Sequence, residues 1–267
     1  SDMMKDRRTT QIWIVGVDGS GAKPLTKPGE TVGSPRWSPD GTRLAYTAMR
    51  DGAPRIVLRW MADGSEAEIV PPGPAENLRW SPDGREIAFL SFVPEAPRQI
   101  GTPPTPAPGA DWKPAPVVID RTLYRADGIG YLPSGRQQIF VAPADGGTVR
   151  RVTHDTHDYG APPISGPIYD WTPDGKSLVV EILNKSEDEV VHGKFFDSGL
   201  YLVQLADGSI TKIIDEAGPE GSPSVSPNGE WIAYTGYKEA DQIHGQAQLS
   251  VINRRTGEQR LLSGSLD

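Results

Sequence analysis

Trp-Ser-Pro-Asp-Gly occurs at 37–41 and again at 80–84, and two variants come later in the chain. The variants are Trp171-Thr172-Pro173-Asp174-Gly175 and Val225-Ser226-Pro227-Asn228-Gly229. Two residues beyond each glycine an apolar triplet begins: Leu44-Ala45-Tyr46, Ile87-Ala88-Phe89, Leu178-Val179-Val180 and Ile232-Ala233-Tyr234. The unit recurs at intervals of 43, 91 and 54 residues, which marks a repeat architecture whose units bury their faces against one another.

The Ser-Pro-Asp-Gly stretch reads as a tight turn. Proline presets φ, aspartate bonds its own backbone, and glycine accepts positive φ. The triplet after it reads as a short buried strand. A second pattern also recurs, an apolar strand ending in a hairpin signal, as in Ile12–Gly19, Ile56–Gly64, Ile139–Gly146, Leu200–Gly208 and Leu249–Gly257. Two hairpins per repeat make a four-stranded antiparallel sheet, and repeats of this length and content read as blades of an all-β β-propeller. The tryptophans of the turns are expected between blades, where a flat ring fills the gap between twisted sheets.

Five second-half hairpins stand against four first-half turns, so the chain reads as about four and a half blades, an incomplete ring in a single domain over 1–267. The stretch from Thr10 to Thr26 lacks its leading strands. Residues 94–116 hold eight prolines and read as a surface insertion, extending to about residue 135. Asn184 to Phe196 reads as an insertion between the two halves of the third full blade.

The net charge of −8 is spread without a basic stripe, which argues against nucleic acid as a partner. No apolar run reaches the length of a membrane span, so no membrane partner is expected. With no cysteine there are neither disulfides nor thiolate metal sites, and the compartment stays open between cytoplasm and periplasm, with cytoplasm preferred.

Repeats of this kind resemble those of TolB-like propellers and of the propeller domains of the prolyl oligopeptidase family of serine peptidases. The middle of the chain favours the second group. Arg121-Thr122-Leu123-Tyr124-Arg125-Ala126-Asp127-Gly128-Ile129-Gly130-Tyr131, then Gln138-Ile139-Phe140-Val141, Gly146-Gly147 and Arg151-Val152-Thr153-His154-Asp155, is similar to the acylaminoacyl-peptidase-like and dipeptidyl-aminopeptidase-like branch. Asp6–Trp13 is similar to the first hairpin of such propellers. The resemblance implies a C-terminal α/β-hydrolase domain of the same polypeptide as partner, short peptides as substrates, and a gating role for the propeller. The hydrolase domain would carry its nucleophile on a Gly-x-Ser-x-Gly elbow, and this sequence contains none. No catalytic residue is therefore expected in this chain, and the isolated chain is expected to lack peptidase activity. The alternative reading is a stand-alone TolB-like propeller that binds a protein or peptide.

Arg121, Tyr124 and Arg125 are the first substrate-binding candidates, because a guanidinium fork suits a carboxylate or carbonyl. The competing role is to tie the insertion to the propeller. Glu187 and Glu189, in Glu187-Asp188-Glu189, suit an ammonium group, and otherwise read as a solvated charge run. His154-Asp155-Thr156-His157-Asp158 has ligand chemistry for a metal but reads as a loop, so neither a metal nor another cofactor is expected. Unpaired blade edges at the two ends of the arc are expected to favour self-association or poorly ordered termini.

Overall fold

The computed structural model describes residues 9–96, 101, 107–109, 118–119, 124–126, 130–159, 168–183, 197–216, 218–237 and 247–264. Two short strands, β1 (Trp13–Ile14) and β2 (Lys23–Pro24), form a hairpin of their own. The first four-stranded sheet comes next as a meander of β3 (Thr31–Trp37), β4 (Arg43–Arg50), β5 (Ala53–Trp60) and β6 (Glu66–Ile69). The second sheet begins with β7 (Ala75–Trp80) and β8 (Glu86–Pro94), and a small hairpin of β9 (Arg125–Ala126) and β10 (Gly130–Tyr131) interrupts it. It is completed by β11 (Gly135–Pro143) and β12 (Arg150–Arg151). The third sheet comprises β13 (Tyr169–Trp171), β14 (Ser177–Leu183), β15 (Ser198–Gln204) and β16 (Ile210–Ile214). The fourth comprises β17 (Glu220–Val225), β18 (Trp231–Gly236), β19 (Gln248–Asn253) and β20 (Gln259–Leu261). The described residues thus form four full blades and the outer half of another, an incomplete propeller ring.

The core lies between sheets rather than within any one of them. Side chains alternate along a strand. Leu44 and Tyr46 of β4 therefore pack with Ile12 beside the leading hairpin, while Ala45 packs against Leu78, Ile87 and Phe89 of the second sheet. On β8 the alternation continues: Ile87 and Phe89 face the first sheet, and Ala88 and Leu90 join Trp171, Leu178 and Val180 of the third. Val179 and Leu200 then meet Ile232, Tyr234 and Ile252 of the fourth. A strand covered on both faces has to be apolar at consecutive positions, which is why the triplets read as unbroken runs.

Each sheet is a meander, so its connections fall at two opposite ends. At one end, every turn within a four-stranded sheet has five or six residues. The other end holds connections of very different length, from the two residues Asp51 and Gly52 to the long excursion between β8 and β11. That excursion closes on a pairing of Pro94 with Gly135, so the ladder continues up to the insertion on both strands. We call these the turn end and the loop end.

Candidate functional site: a cleft ringed by the tryptophan turns

The turn motif is built from its own residues. The Ser38 hydroxyl donates to Asp40 Oδ1 at 2.6 Å, and the Arg43 N–H donates to Ser38 Oγ at 2.9 Å. The Gly41 N–H closes the turn on the Ser38 carbonyl at 2.9 Å, with Gly41 at φ 70°. Ser81 and Asp83, Thr172 and Asp174, and Ser226 and Asn228 repeat the hydroxyl contact at 2.6, 2.6 and 2.7 Å. The Ser38 hydroxyl and the Thr42 N–H hold the Asp40 carboxyl down to about 2, and the same kinds of bond lower Asp83 and Asp174. These carboxylates brace turns and are not poised for proton transfer.

The first strands of three sheets carry a bulge just before the motif, at Gly33/Arg36, Glu76/Arg79 and Gly221/Ser224. Ser34, Asn77 and Ser222 there adopt left-handed φ of 51°, 53° and 54°. Short polar side chains tolerate that region, and the extra residue re-aims the rest of the strand. β13 is only three residues long, and its pairing with β14 shows no such bulge among the described residues.

The re-aimed residues line a cleft of about 660 Å³ at the turn end. Trp37, Trp80 and Trp171, the prolines Pro39, Pro82, Pro173 and Pro227, and Val225 supply its apolar surface. Arg36, Arg79 and Asp170 supply charge. Two of the indoles are fixed by the preceding sheet: Trp80 Nε1 donates to the Arg36 carbonyl at 2.9 Å, and Trp171 Nε1 to the Arg79 carbonyl at 3.2 Å. Asp170 is shared between neighbours, accepting from Arg79 at 3.1 Å and from the Val225 N–H at 2.8 Å. Arg36 bonds only the adjacent Pro35 carbonyl among the described residues, at 2.9 Å, so its guanidinium can still accept an anion. The arrangement offers an aromatic wall with one spare cation, which is binding chemistry rather than bond-making chemistry.

The inter-blade placement expected of the turn tryptophans needs correction at one position. Trp80 and Trp171 are buried between blades, but Trp37 is 50% exposed and its indole N–H has no acceptor among the described residues. The reason is positional: Trp80 and Trp171 lean on a preceding first strand, and the leading hairpin of β1 and β2 offers none.

Of the sequence-derived candidates, Arg121, Glu187 and Glu189 lie outside the described residues. Tyr124 and Arg125 are exposed at the loop end, away from the cleft lining. The Tyr124 ring lies 6.2 Å from that of Tyr131 across the small hairpin, and the Tyr124 carbonyl accepts the Leu132 N–H at 2.8 Å. The His154–Asp158 stretch is a braced loop. Asp155 accepts from the His157 N–H at 2.7 Å and the Tyr159 hydroxyl at 2.7 Å, and Asp158 accepts from the Gln137 N–H at 3.0 Å. Thr153 Oγ1 accepts the Ile139 N–H at 3.0 Å, as Thr26 Oγ1 accepts that of Ile12 at 3.1 Å. The Val-Thr-x-Asp signature is thus a device for ending the outer strand. Sequence reasoning missed Arg36, Arg79 and Asp170. Their signal was available, since each directly precedes a motif tryptophan.

No family model matches the sequence. The uncharacterized peptidase YuxL of Bacillus subtilis is 29% identical over 178 residues, 66% of this chain and 25% of that protein. The Tol-Pal system protein TolB of Roseobacter denitrificans is 43% identical over 54 residues, 20% of this chain and 12% of that protein. Among solved structures, the acylaminoacyl peptidase of Pyrococcus horikoshii superposes with a TM-score of 0.66 at 18% identity, over 96% of this chain and 35% of that one. The chain thus spans a quarter or less of these curated relatives. The fold is that of a β-propeller, and the chain is similar to the propellers of prolyl-oligopeptidase-type peptidases and of TolB.

Proposed function

We propose that this chain is the non-catalytic propeller portion of a serine peptidase of the prolyl oligopeptidase family, gating the access of short peptides to a hydrolase domain outside it. The observation that carries the reading is the contrast between the two ends. All long connections, including the one bearing Tyr124 and Arg125, gather at the loop end, and the turn end keeps short turns around a cleft. An elaborated rim suits docking of a second domain, and a narrow ring interior excludes folded proteins from a buried nucleophile. Likeness to YuxL over 66% of this chain supports the same reading.

Tyr124 and Arg125 would then contact peptide or hydrolase domain at that rim, with Arg121, Glu187 and Glu189 as further candidates. The test is active-site labelling with a fluorophosphonate on this chain and on the longest polypeptide its reading frame encodes. The expected result is label on the long form alone, with KM for a short peptide amide raised several-fold by Arg125→Ala. A long form without a reactive serine overturns the proposal.

The second reading is a TolB-like binding module, favoured by the open cleft with its exposed Trp37 and spare Arg36. It predicts that a carboxylate-bearing peptide binds this chain and loses affinity in Arg36→Ala. Under either reading, the half-exposed Trp37 and the edge of β1 that is unpaired among the described residues favour self-association. Sedimentation at rising concentration measures it, and a strictly monomeric chain would refute that part.

A further inference from the structure

The repeat supplies its own controls. Measured from the shared bulge, Glu220 of the fourth sheet stands where the first two sheets carry Val32 and Ala75. Measured from the apolar triplet, Glu181 stands where the other sheets carry Thr47, Leu90 and Thr235. Both glutamates are buried, at 7% and 5% exposure for Glu181 and Glu220, in the seam between the third and fourth sheets. Nothing in a blade's architecture asks for a carboxyl at either place, because sister blades do without.

Their surroundings suit a neutral acid better than an anion. Among the described residues Glu181 has two long contacts, with the Ser222 N–H at 3.3 Å and Ser198 Oγ at 3.4 Å. Ser198 owns a single hydroxyl proton, and the Glu220 carbonyl lies closer, at 3.1 Å. A protonated Glu181 completes that chain by donating to Ser198 Oγ. Glu181 also presses on Gly221, where an added Cβ would fall 2.5 Å from Oε2. Among the described residues Glu220 takes one backbone N–H, from Glu216, and its Oε2 has no partner.

The groups facing this end of the seam are mostly acidic. From the third sheet come Asp197, bonded to the Gly218 N–H at 3.1 Å, with Asp215 and Glu216. Lys212 lies 3.8 Å from Asp215, and Gln259 donates to Glu216 at 2.9 Å. From the fourth sheet Tyr234 approaches, its hydroxyl 3.3 Å from Gln259 Oε1. No cation bonds Glu181 or Glu220 among the described residues.

We propose that the seam between the third and fourth sheets is an acid-locked joint, closed while Glu181 and Glu220 carry protons and loosened at the loop end when they ionise. Ionisation leaves charge in a buried seam beside other carboxylates, and parting β14 from β17 lets water reach it. Burial drives both carboxyls upward, Glu220 to about 8, with Glu216, Asp215 and Asp197 adding to its shift. A folded-state value above the unfolded one gives stability that is full below the ordinary carboxylate range. It is lost as pH rises through the shifted value, so the window runs from about 4.5 to about 8.

Hydrogen exchange of residues 220–225 against residues 75–80, corrected for intrinsic rates, tests this between pH 5 and pH 9. In the wild-type chain the first segment is expected to open about tenfold or more relative to the second. Glu181→Gln with Glu220→Gln should remove that difference, and so should Glu181→Thr with Glu220→Val, which installs residues of the sister sheets. Equal behaviour of the two wild-type segments overturns the proposal even if no variant folds. A pH response that survives intact in the variants overturns it as well.

Discussion

At the seam between the second and third sheets, Trp171 spans the gap and donates to a carbonyl of β7, and Arg79 reaches back across it to Asp170. At the seam between the third and fourth, Val225 takes the tryptophan's place and only its backbone reaches Asp170. The same repeat position is a flat aromatic wedge in one seam and a small aliphatic in the other. The seam without the aromatic wedge is also the one that holds two buried carboxyls, which the first does not have among the described residues. A seam therefore forms with or without the aromatic wedge and its chemistry is free to vary, and variation of this kind separates a structural joint from a controllable one.

The largest expected effect lies in the tryptophan seams. Trp80→Ala removes a buried ring, its hydrogen bond to Arg36, and the surface under the Arg43 guanidinium, which lies 4.8 Å from the ring centroid. A loss of about 3–5 kcal/mol is expected in denaturant unfolding. Trp37→Ala, at the same repeat position but half exposed, is expected to cost about 1 kcal/mol or less. Equal losses for the two would mean that Trp37 is covered in solution.

Next comes Asp170, the group both kinds of seam share. Asp170→Ala frees Arg79 and leaves the Val225 N–H without its acceptor, at an expected cost of about 1–3 kcal/mol. Arg79→Ala in the same background should then cost much less than it does alone. An additive double-mutant cycle would show that the pair does not couple across the seam.

Gly221 is the third probe. Gly221→Ala places a methyl against the Glu181 carboxyl, an expected loss of about 1–3 kcal/mol, because Glu181 must swing out of a packed seam. Glu181→Thr should recover most of it, since Thr47 and Thr235 fill that position without crossing a seam. Failure of that rescue would place the strain in the backbone rather than at Glu181.

The architecture was legible in the sequence because turn chemistry and strand period are local. Ser, Pro, Asp and Gly announce each turn, and the triplets announce strands buried on both faces. The seams were less legible, because they pair residues about 45 to 90 positions apart, such as Trp80 with Arg36 and Trp171 with Arg79. Trp37 reads the same as Trp80, and only the absence of a covering strand among the described residues tells them apart. Arg36, Arg79 and Asp170 were passed over because one position before a motif looks like any polar strand residue until the sheets are seen to bring all three to one cleft. Glu181 and Glu220 were invisible for a related reason: a glutamate in a strand reads as an exposed alternate until the other face is known to be covered.

The smallest effect has the most diagnostic sign. Asp40, held to about 2 by the Ser38 hydroxyl and the Thr42 N–H, contributes stability at pH values above its unfolded value of 3.8. That contribution disappears as pH falls through about 2, so turns of this kind weaken on the acid side. The carboxyls of the third seam have the opposite sign and weaken the fold on the alkaline side. A plot of unfolding midpoint against pH should therefore decline at both limits for independent reasons. Asp40→Asn should make only the acid limb shallower, with Asp83 and Asp174 keeping the rest, because an amide oxygen keeps the turn's acceptor but does not titrate, as Asn228 shows in the fourth turn. Glu220→Gln should make only the alkaline limb shallower, with Glu181 keeping part of it. If either substitution altered the opposite limb, turn and seam would not be independent elements, and the contrast between a structural and a titratable joint would fail.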